Sequence, residues 1–230
     1  MLKFDSEPIA GVILWDIDGT LMRIKRPNST SPHKNVLRKR GHAFDPNVVG
    51  LSGRTDFEVF QELTKGELDR NMLSKAFNEL DEESLRLDEI STFDLCPGVQ
   101  VVLKTLTSMG WAHGILTGNT GGRLAAKLKK ARIEDSFSQN LLFGCEFGDS
   151  RELIALRARE FLNMQKFSAV VVGDTPSDIS AARLSGFPVI CVATGNFSVS
   201  ELSNHKPDLL LRDLSTDADI LENFLQSLTM

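Results

Sequence analysis

Three short polar clusters, each directly after an apolar run, hold the residues of this chain best suited to chemistry. The first is Asp16-Ile17-Asp18-Gly19-Thr20, which follows Val12 to Trp15. Two carboxylates two residues apart at a strand end lie on the same side if the strand geometry continues. Like charges placed so close are costly unless a cation or a shared proton offsets them. Gly19 allows a tight turn, and Thr20 can satisfy local backbone groups. The second cluster, Thr117-Gly118-Asn119-Thr120, follows Gly114-Ile115-Leu116 and leads into a helical stripe that starts near Arg123. Backbone N–H groups at such a helix start suit phosphate oxygens. The third, Gly173-Asp174-Thr175-Pro176-Ser177-Asp178, follows Ala169 to Val172 and supplies two more carboxylates ahead of a helix. Each cluster alone has an ordinary explanation, because Asp and Asn often cap helices. Jointly they make three polar tips at one end of one sheet. Hard oxygen ligands with few nitrogens or sulfurs favour Mg2+ over zinc.

The elements that must position these tips are legible as short apolar runs. Gly11–Trp15, Ala112–Thr117, Ala169–Gly173, Val189–Ala193 and Leu209–Leu211 are the clearest, with Asn140–Phe143 a weaker sixth. Continuous apolar strands imply a parallel sheet covered on both faces. Helix-spaced stripes lie between them: Val99, Val102, Leu103 and Leu106; Leu124, Leu128 and Ala131; Ile154, Ala158, Phe161 and Leu162; and Ile220 to Leu228. Strand–helix alternation of this kind implies a doubly wound, Rossmann-like α/β fold. Residues 22–95 break the alternation and read as helices throughout. The chain therefore divides into a core of residues 1–21 and 96–230 and an all-helical insert of residues 22–95, placed to cover the carboxyl ends of the strands.

Composition narrows the class further. With 230 residues, 41% hydrophobic and 25% charged, the chain can bury a full core, and neither disorder nor a membrane protein fits. A net charge of −5 argues against a binder of nucleic acid polymers, whose phosphate contacts favour a basic surface. Cys96, Cys145 and Cys191 are few and far apart, which suits reduced thiols in a core rather than a disulfide framework. The apolar run Ile9–Leu14 is too short for a signal peptide or a membrane span. The expectation is a soluble, cytoplasmic protein with a small-molecule partner. The sequence does not define its oligomeric state.

The clusters together resemble the motifs of the haloacid dehalogenase superfamily of phosphohydrolases. Asp16-Ile-Asp18-Gly-Thr20 is similar to its DxDGT motif, Thr117 after an apolar run to its second motif, and Gly173-Asp174 with Asp178 to its fourth. The helical insert and Pro97-Gly98-Val99 resemble the cap and core re-entry of the phosphoglycolate phosphatase and β-phosphoglucomutase branch. The resemblance implies a Mg2+-dependent phosphatase acting on a small phosphorylated metabolite through an aspartyl-phosphate. Asp16 is then the nucleophile and Asp18 the general acid and base. Mg2+ lies among Asp16, the backbone carbonyl of Asp18 and Asp174, with Asp178 holding metal-bound water or orienting the loop. Thr117 and the N–H groups of Gly118 and Asn119 bind the transferred phosphoryl group.

One motif departs from the family. Its lysine between the second and fourth motifs has no obvious counterpart, because Lys129 and Lys130 come too early in the chain. Arg151, at the start of a later helix, offers the same charge with a forked geometry. In the insert, the glycine-containing loop Gly50–Asp56 is the candidate substrate loop, with Arg54 as an anion ligand. Thr55 to Glu58 also fits a capping box. His33, His42, His113 and His205 show no ligand spacing, and Trp15 and Trp111 read as core aromatics. Two alternatives share these residues: a phosphomutase of the same fold, and a non-catalytic regulatory protein that binds a phosphorylated ligand.

Overall fold

The computed structural model describes residues 9–27, 30–48 and 50–228, so the first eight and last two residues of the core lie outside the described residues. Along the chain come β1 (Gly11–Trp15), β2 (Met22–Lys25), α1 (Pro32–Lys39), α2 (Asp56–Thr64), α3 (Arg70–Asn78), α4 (Leu80–Asp88) and β3 (Thr92–Leu95). Next are α5 (Val99–Ser108), β4 (Trp111–Thr120), α6 (Gly121–Ala131), β5 (Leu142–Cys145) and α7 (Arg151–Gln165). The chain closes with β6 (Ala169–Gly173), α8 (Pro176–Leu184), β7 (Val189–Val192), α9 (Val199–Ser203), β8 (Leu209–Leu211) and α10 (Ala218–Ser227).

Every residue of β1, β4, β6 and β7 is buried, as strands covered on both faces must be. They belong to one six-stranded parallel sheet in the order β5-β4-β1-β6-β7-β8. Side-chain alternation splits the core in two. Val12, Leu14 and Val171 face Ile154, Ala158 and Leu162 of α7 and Ile179 and Ala182 of α8. Ile13, Trp15, Val170 and Val172 face Val102 and Leu106 of α5, Leu124 and Leu128 of α6, and Leu221 and Leu225 of α10. The chain first builds outward from β1 through β4 to β5, then returns to the other side of β1 with β6. Ligands of doubly wound sheets bind at the carboxyl ends of the strands where the order reverses, and here that point is the end of β1.

Between β1 and α5 stand the four insert helices, with Val36, Val59, Phe60, Leu63, Leu73, Phe77 and Leu80 buried among them. The insert is not helical throughout, as the sequence reading had it. β2 and β3 pair antiparallel, Met22 opposite Leu95 and Lys25 opposite Thr92, and form a ribbon across both of its connections to the core. The α2 helix starts with the capping box expected of Thr55 and Glu58, with Thr55 N donating to Glu58 Oε2 at 2.8 Å and Glu58 N to Thr55 Oγ1 at 3.1 Å. No helix among the described residues is long and apolar enough to cross a membrane.

Candidate active site

Asp16 continues β1 by one residue, its N–H donating to Val172 O of β6 at 2.8 Å. This pairing fixes a carboxylate at the sheet's centre, where it is buried. The chain then turns sharply at Gly19, whose φ of +89° suits glycine, and a Cβ there would lie 2.3 Å from Asp174 Oδ2. That close approach sets the first and third polar clusters against each other. Thr20 Oγ1 donates to Asp174 Oδ1 at 3.1 Å. Asp16, Asp174 and Asp178 each present an oxygen within 4.8 Å of the others.

Such crowding shifts their protonation. Burial, then the charges of Asp178 and Asp18, raise the Asp16 pKa to about 6 against the opposing pull of Arg151. Burial, with Asp16 and Asp178 beside it, pushes Asp174 up to about 9. Carboxylates held together at this cost fit a divalent cation that takes oxygen ligands, and the donor set contains no nitrogen or sulfur. Asp178 is engaged elsewhere. Its Oδ2 accepts from Thr175 N at 3.0 Å and Thr175 Oγ1 at 2.8 Å in the α8 capping box, and its Oδ1 accepts from Arg151. Asp16 and Asp174 are therefore the side chains best placed to hold such a cation.

Arg151, buried at the first position of α7, also donates through Nη2 to Asp16 Oδ1 at 2.7 Å. It lies in contact with the candidate nucleophile, the place for which the sequence offered it. A second cation, missed in the sequence, sits on the neighbouring carboxylate. Lys127 of α6 is only 2% exposed and donates to Asp18 Oδ2 and, at 2.6 Å, to Asn119 Oδ1. Burial would raise the Asp18 pKa, but Lys127, Arg123 and Asn119 outweigh it and hold it below the usual carboxylate range. The signal was present as Arg123 and Lys127, four residues apart and so on one helix face. Lys129 and Lys130, at the end of the same helix, are both exposed.

The second cluster belongs to β4 itself. Pairing of β4 with β5 continues to Thr120 across an irregularity between Leu116 and Thr120, and α6 begins at Gly121. Thr117 is fully buried, and its Oγ1 accepts from Asn119 Nδ2 at 2.7 Å, which leaves its own proton for an oxygen in the cleft. The Asn119 N–H reaches Thr117 Oγ1 at 3.4 Å, and the Asn119 side chain donates to Asp18 Oδ2 at 2.8 Å. Asn119 thus orients the carboxylate and the hydroxyl. Gly118 abuts the insert loop, since a Cβ there would lie 2.7 Å from Arg54 O.

The insert closes over this floor through polar contacts. Asp56, buried at the start of α2, accepts from Thr120 N at 2.8 Å, from Arg123, and from His33 Nε2 at 3.0 Å. Burial acts to raise its pKa, yet these partners carry it far below the usual range. Thr55 Oγ1 donates to Asp149 O at 2.8 Å. Asp56, the last residue of the candidate substrate loop, and His33, which shows no ligand spacing in the sequence, line the cleft beside Arg123. Arg54 lines it too, but its Nη2 pairs with Glu62 Oε1 at 3.2 Å and its side chain is 47% exposed. The cleft is open to solvent and has a volume of about 500 Å³, enough for a small metabolite. His113 belongs to the core, where Trp15 Nε1 donates to its Nδ1 at 3.0 Å, and the three cysteines are buried and free.

Residues 13–192 match the family model of the haloacid dehalogenase-like hydrolases, and the chain belongs to that family. Its relatives include phosphatases of that family. A phosphoglycolate phosphatase of Nitrosococcus oceani is 25% identical over 217 residues, 88% of this chain and 92% of that protein. Another, of Synechococcus elongatus, is 30% identical over 139 residues, 60% of this chain and 63% of its own. Among solved structures, CbbY from Rhodobacter sphaeroides in complex with phosphate shares the fold with a TM-score of 0.69 at 16% identity, covering 91% of this chain and 96% of that one.

Proposed function

We propose that the protein is a Mg2+-dependent phosphatase that hydrolyses a small phosphate monoester through an aspartyl-phosphate on Asp16. The observation that carries this reading is the separate bracing of two neighbouring carboxylates by two buried cations, Arg151 on Asp16 and Lys127 on Asp18. A structural ion pair needs only one of each. Two carboxylates held in different environments suit two different roles.

With Oδ1 held by Arg151, Asp16 keeps Oδ2 for in-line attack on phosphorus. Thr117 Oγ1 donates to a phosphoryl oxygen. Asp18, kept ionised and aimed by Lys127 and Asn119, takes a proton from the water that hydrolyses the intermediate; the proton it first passes to the leaving oxygen enters the site with a phosphate monoester bound as its monoanion. Mg2+, when bound by Asp16, Asp174 and the Asp18 carbonyl, supplies charge that offsets the repulsion between the nucleophile and the phosphate. Asp56 and the insert exclude water and so strengthen every charge interaction in the cleft. The test is phosphate release from a panel of phosphorylated metabolites with and without Mg2+. Release that needs Mg2+ is expected; turnover by metal-free protein contradicts the mechanism, and isomer formation without net release would make the protein a mutase.

A further inference from the structure

Among the cations that line the cleft, one stands apart by its partner. Each of the other cations there has a carboxylate partner: Arg151 has Asp16, Lys127 has Asp18, and Arg123 has Asp56. Arg26 has Asp88, Lys25 has Asp94, and Arg54 has Glu62. Arg23, on the ribbon strand β2, has no carboxylate partner among the described residues. Its Nε, at 2.8 Å, and its Nη2 both donate to one neutral acceptor, Thr194 O.

That arrangement leaves a specific set of donors. The Nε edge of the guanidinium is spent on the carbonyl, and the Nη1–Nη2 edge keeps two parallel N–H bonds. Two parallel donors are the geometry that receives a carboxylate or phosphate in a bidentate pair. The carbonyl also fixes where this edge lies. Thr194 Oγ1 donates to Gly19 O at 2.6 Å, and the next residue, Gly195, is packed so closely on Asp174 that a Cβ would fall 1.6 Å from its Oδ2. Arg23 is thus joined through a single peptide unit to the wall that holds Asp174. The Arg23 and Arg54 side chains are both exposed, but the Arg54 guanidinium is turned to Glu62.

We propose that Arg23 binds a second anionic group of the substrate, a carboxylate or phosphate joined by a short spacer to the phosphoryl group that is cleaved. The substrate class is then a phosphomonoester of a small acid, with selectivity set at the ribbon rather than by the insert loop. This rests on the phosphatase reading above.

The test compares three non-hydrolysable ligands of one length by calorimetric titration with Mg2+ present: 3-phosphonopropionate, 1,2-ethylenediphosphonate and the uncharged-tail analogue propylphosphonate. The unmodified protein should prefer at least one probe with two anionic groups to propylphosphonate by about tenfold or more, the scale of a charged hydrogen-bonded pair. Which probe wins identifies carboxylate or phosphate. Arg23→Ala should erase about tenfold of that preference, and Arg23→Lys should restore part of it. If Arg23 only straps the Thr194 loop, Arg23→Ala will weaken all three ligands equally and the preference ratio will survive, which overturns the proposal. So does an unmodified protein that shows no preference. Parallel turnover assays with 2-phosphoglycolate and ethyl phosphate keep the two readings apart: absence of any phosphate release sinks the phosphatase reading, while equal release from both sinks only the role of Arg23.

Discussion

Replacing Lys127 with methionine removes a buried charge while keeping much of the side chain's volume. The structure sets the two costs apart. Lys127 is 2% exposed, so the protein loses no favourable hydration there, and methionine is welcome beside Leu124 and Leu128. Its partner Asp18 has a side chain 47% exposed to the cleft and can turn to water. The stability change should therefore stay within about 1 kcal/mol, unlike the loss of one member of a fully buried pair. Catalysis should suffer more. Preorganised charge at a reacting group contributes about 2 to 3 kcal/mol to barrier lowering, which is about 30- to 160-fold in kcat. Steady-state kinetics and a melting curve on the same Lys127→Met preparation check both numbers, with exposed Lys130→Ala as the control that should match the unmodified protein. A folded Lys127→Met with near-normal kcat would refute the assignment of Lys127 to the acid–base carboxylate. A collapse in stability would make Lys127 a structural cation.

Arg151→Ala should fail in the opposite pattern, losing stability as well as turnover, because it strands Asp16 and Asp178 unpaired in the core. A cost of about 3–5 kcal/mol is expected in denaturant unfolding, and Arg151→Lys should recover stability more fully than kcat, since it keeps the charge and loses the fork. Glu83 governs the insert's response to acid. Burial acts to raise its pKa, but Arg86, Lys39 and Asn35 outweigh it and bring the value down to about 2. A folded-state pKa below the unfolded one gives stability that is present above about pH 4.5 and is lost as pH falls toward 2. With Lys39 and Arg86 half exposed, the contribution is about 1–2 kcal/mol. Glu83→Gln should flatten the pH dependence of unfolding over that window, and an unchanged slope would remove the role.

The parts legible in the sequence are those whose cause is local. Gly11 to Trp15 was bounded correctly because every one of its side chains must be apolar to sit between two helical layers. Asp16, Asp18 and Asp174 stood out because carboxylates at the ends of buried strands have little other use. The β2 and β3 strands did not, since Arg23, Lys25 and Asp94 alternate with half-buried residues over only four positions, too short for a period to show. The strand Ala112–Thr117 runs three residues further than its apolar run shows, because backbone pairing with β5 carries on to Thr120 regardless of side-chain polarity. Asp56 was visible as a helix-start residue. Its bonds to Thr120 and Arg123, 64 and 67 positions away, depend on the insert folding back over the core. Sequence spacing carries no record of that closure. Nor could it show that Arg23 alone among the cleft's cations meets a carbonyl instead of a carboxylate.

The central claim is that Asp16 becomes phosphorylated, and the most direct measurement is acid quenching of the first turnover followed by peptide mapping by mass spectrometry. With a hydrolysed substrate and Mg2+ present, the peptide containing Asp16 should carry one acid-stable, hydroxylamine-labile phosphoryl group, and Asp16→Asn should carry none and turn over nothing. A phosphoryl group on another residue, or sustained Mg2+-dependent turnover by Asp16→Asn, would contradict the account.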